Sequence, residues 1–201
     1  MIRLQKHSLL AALLALGHAG LAQAEPAANE LAFTDVRGKQ HTPFSSGKAK
    51  AVVFVFLLRD CPVSNVYAPE LTRIHKTYAK KGVALYLVHP DRDTDAKTAR
   101  AHASEYKLSA PVVLDHDHKL TRLAKASVTP EAAVFDAKAR LLYHGRIDNL
   151  YADFGKKRFK PTQRDLRDTL DALLAGKRLA KRTTEAVGCY IDFSNDKKTD
   201  K

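Results

Sequence analysis

Cys61 is the residue with the most chemistry at hand. It follows the apolar run Ala51–Leu58 and precedes Pro62, a residue suited to the first turn of a helix. A thiol at such a strand-to-helix junction faces unpaired backbone N–H groups and the positive end of the helix dipole, and both favour the thiolate. Ser64, three residues on, brings a hydroxyl that can donate to the sulfur or bond locally, while Arg59 favours an anion and Asp60 opposes one. Together these features describe a nucleophile; the plainer alternative is a small residue capping a helix. Cys189, the second of the two cysteines, lies in the apolar island Val187–Ile191 beyond a basic stretch, so the tail is expected to fold back and dock. Brought to Cys61, it makes either a two-cysteine redox pair or a permanent disulfide. The latter would close a loop of more than 100 residues, worth about 4 to 5 kcal/mol in the chain-entropy account.

Histidine offers a second chemistry. His116 and His118 alternate in Asp115–His118, and with His89, His144 and the cysteines they could supply copper or zinc ligands. The plainer reading makes Asp115–His118 a solvated turn that caps the helix after it.

These residues need a frame. Ala51–Leu58 is continuous, apolar and rich in Val and Phe, the pattern of a strand buried on both faces. From Cys61 to Lys80, apolar side chains recur at three- and four-residue spacing (Val63, Val66, Tyr67, Leu71, Ile74, Tyr78), predicting a helix that kinks at Pro69 and stops at Gly82. The alternation repeats: strand 83–88, helix 94–106 capped by Asp93 or Thr94, strand 111–114, and a short helix 115–126 opening at Asp115 or Asp117. Strands 132–135 and 141–147 read as an antiparallel hairpin, with Arg146 and Asp148 pairing near its end, and 162–175 closes with a helix ended by Gly176. This order predicts an α/β fold with a mixed central sheet flanked by helices on both faces.

Domain organisation follows from composition. Residues 1–24 carry Arg3 and Lys6, a short apolar stretch and Ala22-Gln23-Ala24, the pattern of a secretory signal peptide cleaved near Ala24. Residues 25–47 form an N-terminal extension or edge hairpin, 48–176 the main domain, and 177–201 a basic linker and tail. Export to the periplasm or beyond, without stable membrane insertion, is the expectation, and an oxidising compartment is where two cysteines pair. The net charge of +12 suits acidic partners or an anionic surface. With no Trp and 7% aromatic residues there is little to stack bases on, so a nucleic-acid role is not expected.

Asp60-Cys61-Pro62-Val63-Ser64, following the buried strand, resembles the redox motif of the thioredoxin superfamily with Ser64 in the place of its second cysteine. Val128-Thr129-Pro130 resembles the cis-proline loop of the same superfamily. The motif, together with Tyr67–Leu71, Gly145–Asn149 and the late Gly188-Cys189, is most similar to exported redoxins, the peroxiredoxin-like (AhpC/TSA-related) proteins. The resemblance implies a thioredoxin-like fold and a thiol–disulfide oxidoreductase. In that reading Cys61 is the nucleophile and Cys189 its possible resolving partner, and Pro62 and Ser64 complete the motif. Thr129 and Pro130 present substrate backbone. The partners implied are protein thiols or disulfides and an external electron donor, with no cofactor. Peroxiredoxins place Pro and Thr or Ser seven and three residues before their reactive cysteine; Phe54 and Leu58 stand there instead, so peroxidase chemistry is not expected. Two alternatives remain: a copper-handling protein of the Sco type, although its Cys-x-x-x-Cys motif is absent, and a binding module whose disulfide is structural.

Overall fold

The computed structural model describes residues 30–45, 47–180 and 182–194. The expected leader and the last residues of the tail lie outside them. A hairpin of β1 (Phe33–Thr34) and β2 (Gln40–His41) leads into β3 (Ala51–Phe56), every residue of which is buried. A continuous apolar run can be buried on both faces only between two layers, and its alternation assigns the layers here. Val53 and Val55 face one core with α1 (Pro62–Ala79), while Val52, Phe54 and Phe56 face the other.

Beyond α1 the chain forms β4 (Val83–His89), α2 (Ala96–Glu105), β5 (Val112–Leu114), α3 (Lys119–Ala124) and β6 (Val128–Thr129). It continues through β7 (Glu131–Asp136), β8 (Leu141–Gly145), β9 (Tyr151–Asp153), β10 (Lys156–Lys157), α4 (Asp165–Leu174) and β11 (Cys189–Tyr190). The main sheet has the order β5-β4-β3-β7-β8, with β3, β4 and β5 parallel and β7 and β8 antiparallel. Buried residues of α1, α2 and α4 share one core; those of α3 share the other with Phe44 and with Ile191 from the tail. The chain therefore has the thioredoxin-like architecture, a mixed sheet with helices on both faces.

Local details depart from expectation for identifiable reasons. α1 is one helix through Pro69, as expected, with Tyr67, Leu71, Ile74 and Tyr78 buried on both sides of the proline, but it ends at Ala79, short of Gly82. α2 is capped by Asp95, whose carboxylate accepts from Thr98 N–H at 2.7 Å, rather than by Asp93 or Thr94. Asp115 does serve α3, accepting from the N–H groups of Leu120 and Thr121 at 3.0 and 2.7 Å. The turn before α3 is solvated only in part: Asp117 is exposed, but His118 turns left-handed and is 1% exposed. β8 ends at Gly145, short of Ile147, and α4 begins at Asp165 rather than Thr162. β1 and β2 form a two-stranded sheet of their own, tied to β5 by the Val36 N–H on the Val112 carbonyl, with Phe33 and His41 packing on Tyr86.

Candidate active site

The strand-to-helix junction sets the geometry of Cys61. The residue takes the cap position of α1 with extended backbone (φ −86°, ψ 111°) and is 1% exposed. The helix leaves its first N–H groups without intrahelical partners; the Cys61 thiol caps none of them with a hydrogen bond, but the Ser64 N–H is among the groups that favour its ionised form. The Ser64 hydroxyl is buried with no hydrogen-bond partner among the described residues, and it too favours the ionised sulfur. As a thiol, Cys61 donates to the Thr129 carbonyl at 3.3 Å. Arg59 and Asp60 pair with each other at 2.7 Å, which cancels the opposed influences expected of them.

The second cysteine arrives from the far end of the chain. β11 pairs antiparallel with β6, Cys189 opposite Thr129 and Tyr190 opposite Val128, and the peptide between Thr129 and Pro130 is cis. The register brings Cys189 beside Thr129, whose carbonyl accepts from Cys61, and both cysteines are free thiols. Burial opposes ionisation of Cys61, but donation from the Cys189 thiol, the Ser64 N–H and hydroxyl and the Cys189 N–H outweighs it and holds the thiol below its ordinary range. Cys189 moves the other way: burial, its hydrogen bond to Cys61 and the charge there push it up to about 12. Of the two thiols, Cys61 is therefore the one that ionises more readily.

Two glycines let the tail lie this close. At Gly188 an added Cβ would meet the Thr129 carbonyl oxygen at 1.8 Å, and at Gly145 (φ +141°) it would meet the Thr184 carbonyl at 2.2 Å. Between them Thr184 is an anchor. Its hydroxyl lies 2.6 Å from the Tyr143 hydroxyl and accepts from Arg146 N–H at 3.1 Å, and its own N–H donates to the His144 carbonyl. Farther on, Ile191 N–H donates to the Ser127 carbonyl at 3.0 Å and its side chain is buried.

Other residues brace the loop. Glu131, next to Pro130 and buried, accepts from Ser127 N–H at 2.9 Å and sits 3.2 Å from His144 Nδ1. Tyr67 on α1 donates to Asp148 at 2.7 Å; Arg146 pairs with Asp165 at 2.8 Å, so the expected pairing of Arg146 with Asp148 does not form. The reason is Gly145, which ends the strand and turns the two side chains to different partners. Neither Glu131 nor Thr184 stood out in the sequence, since their partners are distant in the chain and no local spacing marks them.

Of the candidate histidines, only His144 lies by this loop. His116 and His118 donate to the carbonyls of Thr94 and Pro90 at 3.0 and 2.9 Å, and His89 packs edge-on against His102. Among the described residues no three His, Cys, Asp or Glu side chains come together in a way that could hold a metal ion.

The sheet order, the helix layers and the loop at Thr129–Pro130 define a thioredoxin-like protein. Residues 25–144, more than half of the chain, match the AhpC/TSA family, and the chain belongs to it. Among solved structures it is similar to a protein of Sinorhizobium meliloti 1021 (TM-score 0.71, 23% identity, covering 82% of this chain and 91% of that one). A conserved protein of Geobacillus kaustophilus is similar to the same degree (TM-score 0.71, 23% identity, 82% and 89% covered). A secreted disulfide oxidoreductase of Mycobacterium tuberculosis, homologous to E. coli DsbE, shares the fold at TM-score 0.52 and 17% identity, with 76% of this chain and 99% of that chain covered. A comparison with curated proteins gave no match.

Proposed function

We propose that the protein is an exported thiol–disulfide oxidoreductase with Cys61 as nucleophile and Cys189 as resolving thiol. The observation that carries this reading is the meeting of the two cysteines at one residue: Cys61, at the start of α1, donates to the Thr129 carbonyl, and Cys189 pairs with Thr129 across the β6 edge. The Cys61 thiolate attacks one sulfur of an incoming disulfide. A new S–S bond forms to Cys61 as the old one breaks, and the departing sulfur leaves with the electron pair and takes up a proton. Cys189 then gives up its proton and attacks the Cys61 sulfur, releasing the remaining substrate sulfur as a thiol and leaving a Cys61–Cys189 disulfide. The substrate gains two electrons, and an external dithiol donor must return them to the protein. Ser64, the substitute for a second motif cysteine, stabilises the thiolate in this scheme, and Thr129 and Pro130 form the floor under the reacting sulfurs.

Export is supported by the pattern of residues 1–24, and among the described residues no helix is long and apolar enough to cross a membrane. Phe54 and Leu58 lie in the buried strand and its end, and neither offers a hydroxyl with which to activate a peroxide. The test is exchange with a disulfide-bonded protein substrate. Cys61→Ser is expected to abolish it and Cys189→Ser to accumulate mixed disulfides through Cys61; normal exchange by both variants would refute the mechanism.

A further inference from the structure

The β6 edge that flanks Cys61 is taken by the chain's own tail. We propose that Gly188–Ile191 holds the place of the substrate, and that substrates are extended segments with glycine before the reactive cysteine and an apolar side chain two residues after it. This rests on the redox reading of Cys61.

Cys61 is 1% exposed, and Ser64, the Thr129 carbonyl and Cys189 are the groups at its sulfur. The first two belong to the frame. An attacking or attacked sulfur therefore has to take the position that Cys189 holds, and its backbone has to run where β11 runs, as an added strand on β6.

The fit of the tail along that edge defines what can replace it. Before the sulfur, at Gly188, a Cβ would lie 1.8 Å from the Thr129 oxygen and 2.6 Å from its carbonyl carbon, both backbone atoms that cannot swing away. After the sulfur, Tyr190 is 83% exposed, so that position is open to any side chain. One residue on, Ile191 is 6% exposed in the α3-side core while its N–H is held by Ser127, so this position takes an apolar side chain.

The tail can leave without being lost, because Thr184 is anchored separately on Tyr143, His144 and Arg146. The five residues from Thr184 to Cys189 reach about 17 Å at full extension, so the resolving thiol stays at high effective concentration while a substrate lies on the edge.

The test uses the reduced full chain carrying Cys189→Ser and a hexapeptide copying Val187–Asp192, its cysteine linked through a disulfide to thionitrobenzoate. Cys61 attacks the peptide sulfur, the peptide becomes disulfide-linked to Cys61, and thionitrobenzoate leaves as a coloured thiolate. The parent peptide is expected to react about tenfold or more faster than one with alanine for the glycine, the rate ratio that corresponds to about 1.4 kcal/mol. It should also outpace a peptide with lysine for the isoleucine. In the same background Gly188→Ala, which evicts the tail from its own edge, should speed the parent peptide further. Equal rates for the glycine and alanine peptides, with Cys61 still reacting readily with bis(nitrobenzoate) disulfide, would overturn this proposal and leave the redox reading standing. Failure of Cys61 to react with that small disulfide would overturn both.

Discussion

Ser64→Ala isolates one donor to the Cys61 sulfur. The Ser64 hydroxyl is buried, has no hydrogen-bond partner among the described residues while Cys61 is a thiol, and is one of the groups that hold that thiol below its ordinary range. A hydrogen bond to a charged group is worth about 1.5 to 3 kcal/mol, so its loss reduces the ionisation constant of the thiol roughly ten- to hundredfold. Solvent screening does not dilute this, since both residues are 1% exposed. The assay is alkylation by iodoacetamide as a function of pH, with Cys61 and Cys189 followed separately by peptide mass. On the acid side of the profile the variant should react roughly ten- to hundredfold more slowly at Cys61, while the alkaline plateau stays where it was. Thermal stability should change little, because in the thiol form the hydroxyl is an unpaired polar group inside the protein. Superimposed acid limbs for the two proteins would refute the assignment of Ser64 as a donor.

Other perturbations reach the supports of the site. Thr184→Val removes the oxygen shared by the Tyr143 hydroxyl and Arg146 N–H, each bond worth about 1 kcal/mol net. The tail should loosen and Cys61 alkylate severalfold faster, with unchanged rates arguing that the anchor does not restrain the tail. Tyr67→Phe takes the 2.7 Å donor from the buried Asp148 carboxyl, so the chain should lose about 1 to 3 kcal/mol by urea unfolding; an unchanged midpoint would contradict that. His89 is fully buried with neither ring nitrogen hydrogen-bonded among the described residues, and burial and then the nearby His102 push its pKa down to about 4. The unfolded chain binds that proton near 6.5, so stability should fall as pH drops from about 6.5 to about 4, by about 3 kcal/mol in full. His89→Leu should flatten the curve in that window, and an unaltered slope would place the acid sensitivity elsewhere.

The parts of this molecule written as local patterns could be read from the sequence. β3 shows as an unbroken apolar run, α1 as a helical repeat, and the strand-Cys-Pro junction places Cys61 at the helix cap before any coordinates are known. Thr129-Pro130 likewise marks its loop. What could not be read depends on contacts between distant segments. A two-residue strand such as β11 has no periodicity, and its register against Thr129 is fixed by Gly188, Thr184 and Ile191 acting at separate places. His118 looks like part of a polar turn because Asp115 to His118 is polar throughout; its left-handed backbone instead carries the ring inward to Pro90 and against Phe193. Arg146 and Asp148 look paired only if the strand continues past Gly145, which it does not.

The central claim, that Cys61 and Cys189 are a working redox couple, is tested most directly by equilibrating the mature protein in thiol buffers of defined potential and reading alkylation by intact mass. The account predicts one intramolecular disulfide between these two residues that titrates within the range of working oxidoreductases, about −120 to −270 mV. A pair still oxidised below about −300 mV would make the bond a structural staple, and a failure to form it at any potential would remove Cys189 from the mechanism.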